Sequence, residues 1–500
     1  MHIVRAFIIV LPVLFTSSCK AYDPLYCDRD RPCSDPERSF CDEHGEYPAS
    51  EGIGRTCIPD PASDAGSSDS DDGGDQGGDA MRAPDGGPGR FVTDLALGRR
   101  RTCVILNDGA IRCWGRGPLG YPADVGIVGD DEYPFEAGDV PTGGPIKQIA
   151  MGTSFTCLLY QAGNVRCFGD NAYGQLGLGN TEDVNAVPAD IDDVSLGEPA
   201  TELIAGPGYA CALLESGGVR CWGFLAFGAL GYGFGLLNEE YVGDDELPSD
   251  LPTIDVGGGV VQLTGGTLHI CAILGGGDGR IRCWGAETGG LAAVRGFLGY
   301  PGTEMLGDDE APSTAGDVIV GGVVTSVRAY SGSTCALFED KSLKCWGTGA
   351  AALGYANGRT YGDDETPSVA PDIMLGGLVE QIGGMGSTRC AIMSNGDVRC
   401  WGLNERGELG LGNIETVGDD ELPVSVDALS LGGRAVKLAS GAIPTLPLGG
   451  TNDAHMCALL ESGDVRCWGL NDFGQLGLGH QENVGDNEVP SDEPPVRVLE

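Results

Sequence analysis

Residues 211–223 read CALLESGGVRCWG, and residues 457–469 read CALLESGDVRCWG. The same frame recurs as seven cysteine pairs: Cys103 and Cys113, Cys157 and Cys167, Cys211 and Cys221, Cys271 and Cys283, Cys335 and Cys345, Cys390 and Cys400, Cys457 and Cys467. Six pairs are ten residues apart; the fourth is twelve apart, lengthened by the glycines of LGGGDGR. An aromatic residue and a glycine follow each second cysteine. All six tryptophans of the chain therefore occupy one repeat position, which Phe168 fills in the second unit. First cysteines spaced by 54 to 67 residues define an array of seven units.

The segment between the cysteines reads as a β-hairpin. Ala212-Leu213-Leu214 and Val219 are strand-like, with turn residues between them. Pairing Cys211 with Cys221 leaves Glu215-Ser216-Gly217 as a three-residue loop, whose last place favours glycine in the left-handed conformation. That place holds Gly109, Gly163, Gly217, Gly396 and Gly463, with Lys341 the exception among the ten-spaced pairs. The register sets each cysteine opposite its partner, close enough to bridge in a non-hydrogen-bonded pair. Zinc is the alternative use of such pairs, but zinc sites want a tighter Cys-x2-4-Cys knuckle and four convergent ligands.

The rest of each unit follows the same frame. An apolar residue stands eight before the first cysteine (Leu95, Ile149, Leu203, Leu263, Val327, Ile382) and opens a first strand; Leu438 is its counterpart in the seventh unit, which carries the insertion GAIPTLPLGGTNDAH. After the third strand comes a G-x-L-G turn, as in GQLGL at 174–178 and 474–478, then an acidic turn, a proline and a short apolar segment. Helical periodicity is absent, and 85 glycines in 500 residues suit turns. The reading is an all-β, seven-bladed β-propeller of four-stranded antiparallel blades, at about 91–145, 146–199, 200–259, 260–323, 324–378, 379–434 and 435–500. An open β-solenoid is the alternative, although its repeats are shorter. The tryptophans are read as packing residues between blades.

The string IAMGTSFTCLLYQAGNVRCFGDNAYGQLGLG at 149–179 and its counterpart in the seventh unit resemble the repeats of the regulator of chromosome condensation family. The resemblance covers residues 91–500 and implies a seven-bladed propeller. The cysteine pairs depart from the eukaryotic members and are similar to secreted bacterial relatives. The nuclear exchange-factor activity that the family name implies is not carried over.

The N-terminus reads as an export signal: MHIVR, the apolar core AFIIVLPVLF, then TSSC. The ending resembles a lipoprotein box with Cys19 as the lipidated residue, and Lys20 then suggests sorting to an outer membrane; simple secretion is the alternative. Nineteen cysteines equal one lipid attachment site plus eighteen that can pair. Cys27, Cys33, Cys41 and Cys57 suggest a two-bridge knot within residues 20–60, of open connectivity. Residues 61–90 form a Gly/Ser/Asp-rich linker with little to bury.

A net charge of −43, from 30 basic and 73 acidic residues, argues against nucleic acid as a partner. No Ser/His/Asp or His/Glu constellation recurs along the loops. His269 and His455 occupy the position two before the cysteine, where Phe155 and Tyr209 stand in other units, and are read as structural. The basic residue before each second cysteine (for instance Arg112, Arg166 and Arg282) is expected to stack on tryptophan or pair with a neighbouring blade's acid. The acidic turns are expected to cap backbone amides. Calcium is the second reading, with Asp130, Asp131, Asp244, Asp245, Asp308, Asp309, Asp363, Asp364, Asp419 and Asp420 as ligands.

The expectation for function is an exported, monomeric propeller that binds a protein or surface ligand, touches membrane only through its anchor, and is not an enzyme. The alternatives are a lyase-like propeller enzyme and an inhibitor of an extracellular enzyme. The loops after the Trp-Gly of units one, three, four and five diverge and add aromatics: Phe224, Phe227, Tyr232, Phe234, Tyr241, Phe297, Tyr300, Tyr355 and Tyr361. These are the expected contact residues, with Phe224, Phe227, Tyr232, Phe234, Tyr300 and Tyr355 foremost.

Overall fold

The structure is a computed structural model that describes residues 89–122, 125–224, 228–233, 241–286, 295–303, 305–439, 441 and 454–500, with the backbone of three short strands near the N-terminus. The chain divides into two units, Met1–Pro84 and Asp85–Glu500. In the first, strands Tyr26–Cys27, Phe40–Cys41 and Arg55–Ile58 pair antiparallel, with the third between the other two. The export signal, Cys19, the pairing of the N-terminal cysteines, and Phe227 and Phe234 lie outside the described residues.

The second unit holds seven antiparallel sheets, one per repeat, in plain up-down order. Blade three is representative, with strands Ala200–Ala205, Tyr209–Leu214 and Val219–Gly223. Cys211 stands opposite Cys221 in the register, and Leu214 N–H donates to Gly218 O at 2.9 Å, closing the expected three-residue loop. The glycine of that loop has φ between +81° and +91° in five blades, and Lys341 takes +67° in the exception.

All seven expected disulfides form, each inside its own hairpin. Cys103 bonds to Cys113, Cys157 to Cys167, Cys211 to Cys221 and Cys271 to Cys283. Likewise Cys335 bonds to Cys345, Cys390 to Cys400 and Cys457 to Cys467. Their Cα separations of 4.0–4.1 Å are those of non-hydrogen-bonded pairs. The longer hairpin of blade four changes only the loop, since Cys271 still faces Cys283 in the register. Every second strand is buried along its whole length, because neighbouring blades cover both its faces.

The expected fourth strand is mostly absent. It survives as single bridges from the glycine after the aromatic residue, such as Gly115 to Val128 and Gly223 to Val242, and as a two-residue strand, Met305–Leu306, in blade four. The reason lies in the acidic turn and proline, which bend the chain into a short 3-10 or helical turn, as at Pro248–Asp250. The chain then touches the third strand once more, as in Val140 N–H to Ile111 O at 2.9 Å.

Adjacent blades are joined by one recurrent lock. The last glycine of each G-x-L-G turn, and Gly354 of the Ala-Ala-Leu-Gly turn that stands in its place in blade five, lies against the next blade's aromatic residue. A Cβ built there would fall 2.7–3.0 Å from that ring in all seven cases, and φ is +69° to +85°. Five tryptophans also donate their indole N–H to a carbonyl of the same turn, as in Trp222 to Gln175 O at 3.0 Å and Trp468 to Glu408 O at 2.9 Å. The acidic turn completes the joint from below: Gly243 O accepts Gly179 N–H at 3.0 Å, and Gly485 O accepts Gly412 N–H at 3.0 Å. Each turn's leucine is buried. The tryptophan reading is thus borne out.

The same lock closes the ring. Trp114 of blade one donates to Gln475 O of blade seven at 2.9 Å, and Phe135 N–H donates to Arg497 O at 3.1 Å. That second bond repeats Ala189 N–H to Pro141 O and Ser249 N–H to Ser195 O at earlier joints, both 3.0 Å. Each blade is built from one contiguous segment, so closure needs no exchanged strand.

Gly177→Ala forces an L side chain to φ +69° with its Cβ 3.0 Å from Trp222, and should cost about 1–3 kcal/mol in a urea melt. Gly259→Ala, with nothing within 4 Å of the new Cβ, should leave the melt unchanged. Mass spectrometry of a non-reduced digest should recover the seven intra-hairpin links; a cross-blade link would contradict the register.

Candidate binding face

The residue after each Trp-Gly or Phe-Gly donates its N–H to the turn joining the first two strands. Examples are Arg116 to Arg100 O at 2.7 Å, Phe224 to Gly208 O at 2.8 Å and Thr348 to Gly332 O at 2.8 Å. Both loop sets of every blade therefore share one end of the propeller. What they present there differs from the expectation.

Most of the expected contact aromatics are structural. Phe297 and Tyr361 are buried, and Tyr300 and Tyr355 nearly so. The tyrosine of the L-G-Y turn sends its hydroxyl back to the second cysteine: Cys345 N–H donates to Tyr355 Oη at 2.9 Å, and Tyr355 Oη donates to Cys345 O at 2.9 Å. Tyr232 makes the same pair of bonds with Cys221, at 3.1 and 2.9 Å. In blade one Cys113 N–H donates to Tyr121 Oη at 3.3 Å. Tyr300 accepts from Cys283 N–H at 3.5 Å and donates to Gly316 O at 2.8 Å. Tyr232, Tyr300 and Tyr355 are pinned to their own blades.

Phe224 keeps its place on the face. Its ring centroid lies 5.4 Å from Tyr173 and 5.3 Å from Tyr241, and Tyr173 and Tyr241 are 5.7 Å apart. The three rings form a cluster over the joint of blades two and three, and Tyr173 is 45% exposed. Tyr173 was missed by the sequence reading, although its slot was visible: N-A-Y-G-Q-L-G aligns with N-D-F-G-Q-L-G, where Phe473 stands. At that equivalent joint the Arg100 and Arg116 guanidiniums lie 4.3 and 5.4 Å from the Phe473 ring.

The repeated arginines depart from expectation. They neither stack on tryptophan nor reach a neighbouring blade's acid. Arg166 donates to Asp193 at 2.7 Å and to Pro188 O at 2.9 Å, and Arg282 reaches Asp317 and Ser313 O at 3.3 and 3.0 Å, all within their own blades. They replace the missing fourth strand by holding the carbonyls of the short turn.

Four acidic turns bring three carboxylates within 4.8 Å of one another: Asp130, Asp131 and Glu132; Asp244, Asp245 and Glu246; Asp308, Asp309 and Glu310; Asp419, Asp420 and Glu421. Partial burial, then the adjacent acid, pushes Glu132 and Glu310 up to about 7. Asp363 and Asp364 form no such triad among the described residues, and Glu365 instead approaches Arg359 at 3.4 Å. The amide capping expected of the turn aspartates falls to later acids, as in Leu247 N–H to Asp250 at 3.0 Å.

The two ring histidines are interior parts of blade joints. His455 Nε2 lies 2.7 Å from Thr102 Oγ1, which donates onward to Gln475 O at 2.8 Å; His269 stands likewise against Thr334 at 2.8 Å. Since each threonine proton is committed to a carbonyl, each histidine donates from Nε2 and is neutral. Burial pushes both down to about 3. Their stabilisation is complete above the ordinary value near 6.5 and is lost as pH falls toward 3, because only the unfolded chain takes up the proton. Between pH 6.5 and 5 each should cost about 2 kcal/mol. A melt of His455→Phe, which copies Phe155 of blade two, should fall less steeply over that range than the parent; an equal slope would refute the assignment.

Comparison with known proteins agrees with this architecture. Residues 92–120, 146–175 and 451–475 match the regulator of chromosome condensation (RCC1) repeat. The Ultraviolet-B receptor UVR8 of Arabidopsis thaliana is 27% identical over 360 residues, covering 69% of this chain and 70% of the receptor. The human E3 ubiquitin-protein ligase HERC2 is 27% identical over 383 residues, 74% of this chain but 7% of the ligase. Among solved structures, yeast RCC1 (Prp20) bound to Kap60 superposes with a TM-score of 0.57 at 18% identity, covering 80% of this chain and 84% of that one. Human WBSCR16 gives 0.54 at 20% identity, covering 70% and 85%. With seven sheets in a closed ring and these likenesses, the chain is a seven-bladed RCC1-like propeller, in which three stretches match the RCC1 repeat.

Proposed function

We propose that this protein is an exported, surface-anchored binding module that grips a protein partner through the loop end of its propeller, at the joint of blades two and three. The aromatic cluster of Tyr173, Phe224 and Tyr241 carries this reading. The tyrosines of the L-G-Y turns are tied to the backbone, whereas these three rings touch one another, on a frame stiffened by seven disulfides. Rigid aromatics on fixed loops are efficient contact anchors because they lose little entropy on binding. The acidic surface steers the choice toward a neutral or basic partner. Prp20, of similar fold, is known bound to another protein, Kap60.

Seven disulfides indicate an oxidising compartment. No helix among the described residues is long and apolar enough to cross a membrane. In this proposal Cys19 carries the lipid, and the Gly/Ser/Asp segment holds the propeller away from the surface. The rival enzyme and inhibitor readings would place the activity in the same loops. The neutral, buried state of His269 and His455 removes both from general acid–base use there.

The test is a triple variant, Tyr173→Ser, Phe224→Ser and Tyr241→Ser. A partner identified by cross-linking to the parent protein should bind the variant at least about tenfold more weakly, while the melt keeps its cooperativity. Unchanged affinity would move the contact elsewhere. For the anchor, labelling with an alkyne fatty acid should mark the parent and spare Cys19→Ala.

Calcium at the four carboxylate triads is a second proposal. Close carboxylates with raised proton affinity gain from a divalent ion as they do from a proton. Millimolar calcium at pH 8 should then raise the melting temperature by several degrees and chelation reverse it. A flat response leaves the turns as joint elements alone.

A further inference from the structure

The first strands of the seven blades face one another around the centre of the ring and line a cavity of about 300 Å³. Each carries a bulge after its first residue, as between Val92 and Asp94 or Val324 and Ser326, and a bulge re-aims the side chain that follows it. The polar groups so gathered can be accounted for one by one.

Three glutamines zip each central strand to the next. Gln148 donates to Leu203 O at 2.7 Å and accepts Leu203 N–H at 2.9 Å. Gln262 does the same with Val327 at 3.3 and 3.1 Å, and Gln381 with Leu438 at 3.2 and 3.1 Å. Glu202 accepts Leu263 N–H at 3.0 Å. Asp94 is neutralised by Lys437 at 2.7 Å.

Two groups remain among the described residues, both from blade five. Arg328 lines the cavity, makes no hydrogen bond or ion pair with a described residue, and has its Nε enclosed without a partner. Tyr330, two residues on, also lines it; its side chain is 5% exposed and its hydroxyl has no partner. The Arg389 guanidinium, 3.6 Å above the Tyr330 ring, favours that hydroxyl as a donor. An enclosed guanidinium Nε and an enclosed phenol hydroxyl without acceptors are costly unless something accepts from them.

We propose that the central channel binds a small molecule bearing a carboxylate, held by the guanidinium fork of Arg328 and the hydroxyl of Tyr330. A planar carboxylate matches the fork. A single negative charge suits a site with one unpaired cation and the Glu202 carboxyl nearby, whereas a phosphate dianion would meet that acid. This site is distinct from the aromatic cluster on the loop end and does not depend on it.

Acetate, succinate and benzoate are the probes, each against chloride at equal ionic strength and pH 7.5, followed by ligand-observed NMR and by the thermal melt. At least one carboxylate should bind saturably with one site per chain. Arg328→Met should weaken it at least tenfold and Tyr330→Phe several-fold, while Arg359→Met, on the exposed surface, should leave it unchanged. Melts in chloride establish that the variants fold, and Arg328→Gln replaces Arg328→Met should the latter fail. Absence of saturable binding by all three carboxylates, binding of inorganic phosphate in their stead, or affinity indifferent to both Arg328 and Tyr330 would overturn the proposal.

Discussion

The contact between a tryptophan and the second glycine of the preceding blade's G-x-L-G turn governs this molecule. A propeller blade is a small sheet with two apolar faces, and neither is covered until neighbours stand on both sides. The indole fills the gap and, in five joints, donates its N–H to the same turn. The turn can come that close only because it has no Cβ and adopts positive φ. Where blade two carries Phe168, the steric half of the lock remains and the hydrogen-bonding half is gone. The acidic turn then fits beneath, and its glycine carbonyl caps the joint. A sequence rich in Gly-x-Leu-Gly and Gly-Asp-Asp-Glu is therefore a sequence of joints.

This lock explains two departures from a standard four-stranded blade. The chain after the third strand is committed to the neighbour's turn, so it cannot run back as a full fourth strand. It touches the third strand at two points, and the repeated arginine holds the carbonyls left between them. The lock also explains closure: the seventh joint uses the bonds of the other joints, so the terminal blades need no shared strand. The disulfides act at a different level. Each closes a hairpin inside one blade, as Cys390 with Cys400 does in the sixth, and so stiffens the pieces at roughly 2–3 kcal/mol apiece without tying blades together. Inter-blade cohesion rests on packing and the recurrent hydrogen bonds.

Most polar side chains inside the ring have partners, and the exceptions that lie where another molecule could reach are informative. Threonine and histidine pairs are spent within joints, glutamines within the central zipper, and tyrosines of the L-G-Y turns on cysteine backbones. The aromatic cluster over blades two and three and the Arg328–Tyr330 pair in the channel stand outside this economy. One lies on the outer face and one on the axis, which are the two places where a propeller meets other molecules.

The repeat count, the hairpins, the seven disulfide pairs, the left-handed glycine places and the packing role of tryptophan were all legible in the chain, because each is a local periodic constraint written seven times. Which aromatics are free was not. Tyr300 and Tyr355 look like loop residues in sequence, and only the return of their hydroxyls to Cys283 and Cys345 makes them structural. Tyr173 belongs to blade two and meets Phe224 only because the ring sets the two blades side by side. The partners of Arg166, the single bridge in place of a fourth strand, and the unpartnered Arg328 likewise depend on distances between segments far apart in the chain. Periodicity determines the blade, whereas the closed ring determines which side chains each blade has left to offer.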